Sequence, residues 1–179
     1  MEKDNTIPEI QNFEISKVKL LPGGGLAADY SASVIINGEV SNTDYSVSCN
    51  RDIHPDLAEL FKGLRSLVAR VFQWDGEMVE LIEVRGLSWS GKDDNEGIVI
   101  TALYETANGQ KVAINTPRIR LSSESFGFEQ LLSEDAARIK SEVYEFLFNG
   151  KQAQLSLFGE PVDGEQAVEE EKILLDAEQ

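Results

Sequence analysis

The chain has 179 residues, 41% of them hydrophobic and 27% charged, enough apolar material for one packed domain with tails, which excludes wholesale disorder. Thirty-two acidic against 16 basic side chains give a formal charge of -16, a balance that repels polyphosphate and argues against a bulk-electrostatic grip on nucleic acid. A single cysteine, Cys49, excludes an internal disulfide, no stretch approaches a membrane span, and the polar start does not read as a signal peptide, so a cytoplasmic location is expected.

Residues 1–12 read as a loose leader. Strand text follows at Phe13–Leu21, with Ile15, Val18 and Leu20 as core candidates, and stops at Pro22-Gly23-Gly24-Gly25. These glycines predict a flexible turn and not a phosphate loop, because no Lys-Ser or Lys-Thr opens a helix behind them. Tyr30–Ile36 and Thr43–Cys49 are rich in β-branched and aromatic residues and flank Asn37-Gly38, a strong hairpin signal. Pro55 is placed for the first turn of a helix, and Leu57, Leu60, Phe61, Leu64, Leu67, Val68, Val71 and Phe72 then recur at threes and fours, one broad apolar face.

The same order then returns. Met78–Trp89 reads as a strand with Val79, Leu81, Val84 and Leu87 inward; Ser88–Glu96 is a polar turn region; Gly97–Glu105 and Gln110–Asn115 flank a second hairpin signal, Asn108-Gly109. Leu131, Leu132, Ala136, Ile139, Val143, Phe146 and Leu147 mark a second amphipathic helix, with Ser133 as its candidate cap. Short echoes accompany the repeat, notably Val18-Lys19 with Val84-Arg85. The expected fold is therefore α+β: residues 13–150 as one domain built from two strand-strand-strand-helix units, 13–73 and 78–149, with a pseudo-twofold antiparallel sheet, both helices on one face and the other face open. This plan resembles, in topology alone, the TATA-binding-protein-like arrangement and the domains of processivity clamps, a likeness that carries no function by itself.

Residues 151–179 read as an acidic tail. Glu160–Glu178 holds eight acidic residues and one lysine, -7 of the total charge. Ahead of it stands Gln154-Leu155-Ser156-Leu157-Phe158. This pentapeptide resembles, residue for residue, the bacterial sliding-clamp-binding motif of clamp-associated polymerases, repair factors and clamp loaders. By chance it would arise in about one chain of this length in 10⁴. The resemblance implies that Gln154 makes polar contacts at the rim of the clamp's cleft, that Leu155 and Leu157 anchor, that Phe158 is the deepest anchor and that Ser156 is a spacer. The alternative is that Leu155, Leu157 and Phe158 pack as a last extended segment over the sheet edge.

Catalytic and metal signals are weak. His54 is the one histidine, has no zinc triad around it, and its spacing from Cys49 matches no familiar nucleophile context. Asp93-Asp94-Asn95-Glu96 lacks the alternation and central glycine of a calcium loop, while Glu80, Glu83 and Glu105 lie on strand text. Trp74 and Trp89 are expected in core or rim packing. Arg85, Trp89, Lys92, Lys111, Arg118 and Arg120 are the candidates for nucleic-acid contact, Trp89 as a stacking platform. The reading is a non-enzymatic accessory or regulatory protein of bacterial or phage DNA metabolism, with no cofactor or metal, docked on the sliding clamp and offering its open sheet face to a second protein. Alternatives are a structural protein self-associating through that face, and a weak nucleic-acid binder, which the charge disfavours.

Overall fold

The computed structural model describes residues 10–36, 39–121, 129–155 and 161–162. In chain order its elements are β1 (Ile10–Leu20), β2 (Leu26–Ile36), β3 (Glu39–Cys49), α1 (Pro55–Val71), β4 (Ile82–Ser90), β5 (Gly97–Glu105), β6 (Lys111–Asn115), β7 (Ile119–Arg120), α2 (Glu129–Phe148), β8 (Gln154–Leu155) and β9 (Pro161–Val162). The main sheet is antiparallel in the order β3-β2-β1-β4-β5-β6, with β7 also on β5. Both helices cover one face of it, so the fold is α+β.

Period-two alternation sorts the two faces. Across the sheet Val47, Ala28, Val18, Leu87 and Ile100 stand side by side in register beneath the helices, and of these all but the half-buried Val47 are buried. One position along, Ser46, Asp29, Lys17, Ser88 and Val99 form the corresponding row on the open face. The helices supply the other half of the core through Leu57, Leu60, Phe61, Leu64 and Val68 of α1 and Leu132, Ala136, Ile139, Val143 and Phe146 of α2. Each buried side chain of this size contributes about 1.5–3 kcal/mol before entropy is charged against it.

The strand order is symmetric about the β1/β4 seam, which is only three residue pairs long: Lys17 with Ser88, Val18 with Leu87 and Lys19 with Gly86. Each seam strand carries a register shift at the corresponding place, between Ile15 and Lys17 and between Val84 and Gly86. Such bulges add twist and reverse the side-chain alternation. The equivalence they set is Ile15 to Val18 with Val84 to Leu87, so the echo of Val18-Lys19 with Val84-Arg85 is out of phase by three residues.

Other sequence expectations are corrected at element ends. The strand expected at Met78–Trp89 begins at Ile82, because Gly76–Leu81 winds as a 3-10 helix; Leu81, expected inward, is exposed. Ser133 does not cap the second helix, which already runs at Glu129, where Glu129-Gln130-Leu131-Leu132 are all good helix formers. Leu131 falls outside the apolar stripe and is 62% exposed. The strand expected from Phe13 begins at Ile10, which pairs with Val34 on β2, so residues 10–12 belong to the sheet, and residues 1–9 lie outside the described residues. The Asn37-Gly38 turn lies outside the described residues.

Candidate functional site

The end of α2 and the start of the tail are built onto the N-terminus of α1. Pro55 occupies the first turn, where its missing N–H costs nothing. His54 caps the helix, its Nδ1 accepting from the Asp56 N–H at 3.3 Å. Asp56 Oδ2 approaches the same nitrogen at 3.3 Å. At the far end of α2, Gly150 has φ 74 and turns the chain, and the Lys151 N–H returns to the Glu145 carbonyl at 3.1 Å.

Lys151 then reaches across the two helices. Its Nζ lies 2.8 Å from Asp56 Oδ2 on α1 and 2.8 Å from Glu142 Oε2 on α2. Ligand atoms of His54, Asp56 and Glu142 gather within 4.8 Å of one another, a spacing that would suit a metal ion, but the cation placed among the carboxylates is the chain's own ammonium. The hydrogen bond from Lys151 holds the Asp56 carboxyl below its ordinary range, against a smaller opposing effect of burial. Burial pulls the Lys151 ammonium down, and its bonds to Asp56 and Glu142 more than offset this, leaving it above the usual lysine value. Two backbone contacts follow: Gln152 bridges Ile53 in antiparallel fashion, and the Ala153 N–H donates to the Asp52 carbonyl at 3.2 Å.

The tail is thus tied to the body through Ala153, and the pentapeptide of residues 154–158 begins at the next residue. Gln154 and Leu155 form β8, paired through their backbones with Val162 and Pro161 of β9 in a separate two-stranded ladder. Ser156, Leu157 and Phe158 lie outside the described residues.

The six candidate nucleic-acid residues are not brought together. Trp89 is 8% exposed on the helix-covered face, with the Lys140 Nζ 5.2 Å from its ring centroid, so it offers no stacking platform. Arg85 and Lys111 both engage Glu83, at 2.7 and 3.1 Å. Arg118 holds the β4–β5 turn closed, its Nε on Ser90 Oγ at 2.9 Å and its Nη2 on the carbonyls of Ser90 and Asn95. Lys92 and Arg120 are exposed, the former at the β4–β5 turn and the latter on β7.

Sequence spacing gave no register for the carboxylates; the sheet supplies one for Glu83 and Glu105, while Glu80, expected on a strand, falls in the 3-10 turn ahead of β4. Glu80, Glu83 and Glu105 line a shallow cavity of about 210 Å³ together with Arg65 and Lys111; Glu80 pairs with Arg65 at 3.6 Å and Glu83 with Lys111, so charges of both signs meet there. Glu96, at the end of the acidic turn, takes Lys140 at 2.8 Å. Cys49 faces Arg51, whose Nε donates to Sγ at 3.1 Å; burial raises the thiol, and the bonds and charge of Arg51 more than reverse this, leaving it below its ordinary value. His54 and Cys49 therefore have separate partners. Trp74 stacks on Phe72 and meets Tyr104 at the rim. No helix among the described residues is long and apolar enough to cross a membrane. Comparison of the chain with protein-family models, curated proteins and solved structures finds no match.

Proposed function

We propose that this chain is a non-enzymatic accessory or regulatory protein of bacterial or phage DNA metabolism, recruited to the sliding clamp through Gln154, Leu155, Ser156, Leu157 and Phe158. The observation that carries the reading is the pentapeptide itself. Its setting supports the reading: the peptide starts one residue beyond Ala153, the last residue bonded to the α1 entrance, and leads into an acidic segment of the sequence. A short linear motif works best when its root is fixed and its remaining length is accessible. The folded body is then carried to the clamp at a set distance, or obstructs other clients of the same cleft, and neither role needs catalysis.

Three apolar anchors contribute several kcal/mol, offset in part by ordering the peptide, so a single site has a dissociation constant on the order of micromolar. Calorimetry of the full chain with a purified bacterial sliding clamp tests this, beside the double substitution Leu157→Ala and Phe158→Ala. Micromolar binding that the substitutions abolish is the expected result; an intact, folded chain that does not bind sinks the reading. The nucleic-acid alternative loses support because Arg85, Lys111, Arg118 and Trp89 are engaged within the body. Self-association through the open face gains little from a central row of Ser46, Asp29, Lys17, Ser88 and Val99, which offers scant apolar area to bury.

A further inference from the structure

The two edges of the main sheet are unequal. The β6 edge is five residues long, begins at Lys111, is interrupted by Thr116-Pro117-Arg118 and resumes for two residues ending in Arg120. Short length, proline and basic side chains are the usual means of blocking further strand pairing. The β3 edge has none of them. Its 11 residues, Glu39–Cys49, contain no lysine, arginine, proline or glycine, and all of them pair with β2 without one register shift, from Leu26 opposite Cys49 to Ile36 opposite Glu39. Among the described residues no strand pairs with its outer side. Every second residue of β3 therefore directs its N–H and C=O away from the sheet.

The surroundings specify what fits. On the helix-covered side, Phe13, Tyr30, Tyr45, Tyr144 and Phe148 form a continuous aromatic shelf, with ring centroids 4.8–5.7 Å apart. Tyr45 is on β3 itself, and it and Tyr144 are each 36% exposed. On the open side, Asp44 of β3 has Asp29 and Glu14 near it in a cleft of about 480 Å³ that Tyr45 and Trp89 also line; among its described lining residues the single cation is Lys92, and Lys17 stands opposite Asp29 on the next strand. A strand added to β3 sets alternate side chains over these two surfaces. A second β3 is a poor occupant: its open-side residues Asn42, Asp44, Ser46 and Ser48 bring no cation to Asp44.

We propose that β3 is a strand-addition site for an extended polypeptide segment of a partner in which apolar side chains alternate with Lys or Arg, the former on the aromatic shelf and the latter against Asp44, Asp29 and Glu14. The site is independent of the tail peptide. Its test uses the full chain and a synthetic peptide of about eight residues, a common strand length, alternating lysine with leucine and phenylalanine. Two same-charge versions carry N-methyl groups on alternate amides, one in each frame, and a third replaces lysine by glutamate. The expected result is saturable binding by the parent, at least about tenfold weaker in one N-methyl frame, in the glutamate version, and with Asp44→Lys or Tyr45→Ala chains that remain folded by circular dichroism. Leu157→Ala with Phe158→Ala leaves this binding unchanged, which separates it from clamp docking. Equal binding by both N-methylated frames would reduce the effect to charge attraction and overturn the proposal. A peptide-free chain that sediments as a dimer with its β3 amides protected from exchange would overturn it too, by placing a second copy on the edge.

Discussion

At Lys151 one ammonium group joins the first turn of α1 to the last turns of α2 and fixes the residue from which the tail departs. Its side chain is 31% exposed and that of Asp56 is 56% exposed, so solvent screens the pair and its worth is that of a surface bridge, about 0.5–1 kcal/mol. The pH dependence follows from the two directions of shift. Asp56 is depressed from 3.8, so its contribution is complete above that value and is lost as pH falls through the lower folded value; Lys151 is raised from 10.5, so its contribution is complete below that value and is lost as pH rises through the higher folded one. Lys151→Met should lower stability at pH 7 by about 0.5–1 kcal/mol, and urea denaturation repeated at successively lower pH should show the gap between variant and parent closing as Asp56 protonates. A gap that persists in acid would mean that the lysine acts through its packed methylenes. Pro55 marked this helix start in the sequence. Lys151 and Glu142 did not, because a pair nine residues apart around a turn, closing on Asp56 from the other helix, has no local signature.

Among the elements, the seam between β1 and β4 is the narrowest connection along the path β3-β2-β1-β4-β5-β6. Gly86 sits opposite Lys19 there, and a Cβ at that position would lie 2.7 Å from the Val18 carbonyl oxygen. The crowding atom is backbone and cannot step aside as a flexible side chain would. Gly86→Ala is therefore expected to cost about 1–3 kcal/mol as an overpacked site, read as a lower urea midpoint, with the Ser88→Ala change two pairs away nearly neutral. If Gly86→Ala were neutral, the seam would have slack to separate. Strand and helix existence was legible because alternation and threes-and-fours periodicity are local: Gly97–Glu105 was read to the residue, and both helices by their stripes. The failures cluster where phase changes. Leu81 continued an alternation that the 3-10 helix had already broken, and the bulges near Ser16 and Arg85 reverse the inward side without any residue type announcing it. Ser133 looked like a cap because capping residues are common, whereas the helix had begun earlier for reasons of propensity. The acidic residues Glu83 and Glu105 could be seen but not paired, since register across β4, β5 and β6 is a tertiary fact.

For the molecule as a whole, the excess of acid sets two terms of opposite sign. The formal charge is -16, of which -7 falls in Glu160–Glu178, leaving the remainder near -9; self-repulsion of that remainder opposes compaction and is screened by salt. The ion pairs work the other way, because salt weakens them. The described pairs are partly or largely exposed: Glu80 is 85% exposed in its pair with Arg65, and Glu59 and Lys62 are 71% and 58% exposed. Exposed pairs of this kind contribute about 0–1 kcal/mol each. The pairs also leave the net charge unchanged, because bringing a cation to a carboxylate leaves the excess acid where it was. Repulsion should therefore dominate, and raising sodium chloride from about 10 to about 150 mM, which shortens the screening length from roughly 30 to roughly 8 Å, is expected to raise the melting temperature by a few degrees. Scanning calorimetry at fixed pH reads this directly. A melting temperature that falls over the same range would assign more stability to the Lys151, Lys140 and Lys111 bridges than their exposure allows, and Lys151→Met would then lose far more than about 1 kcal/mol at low salt.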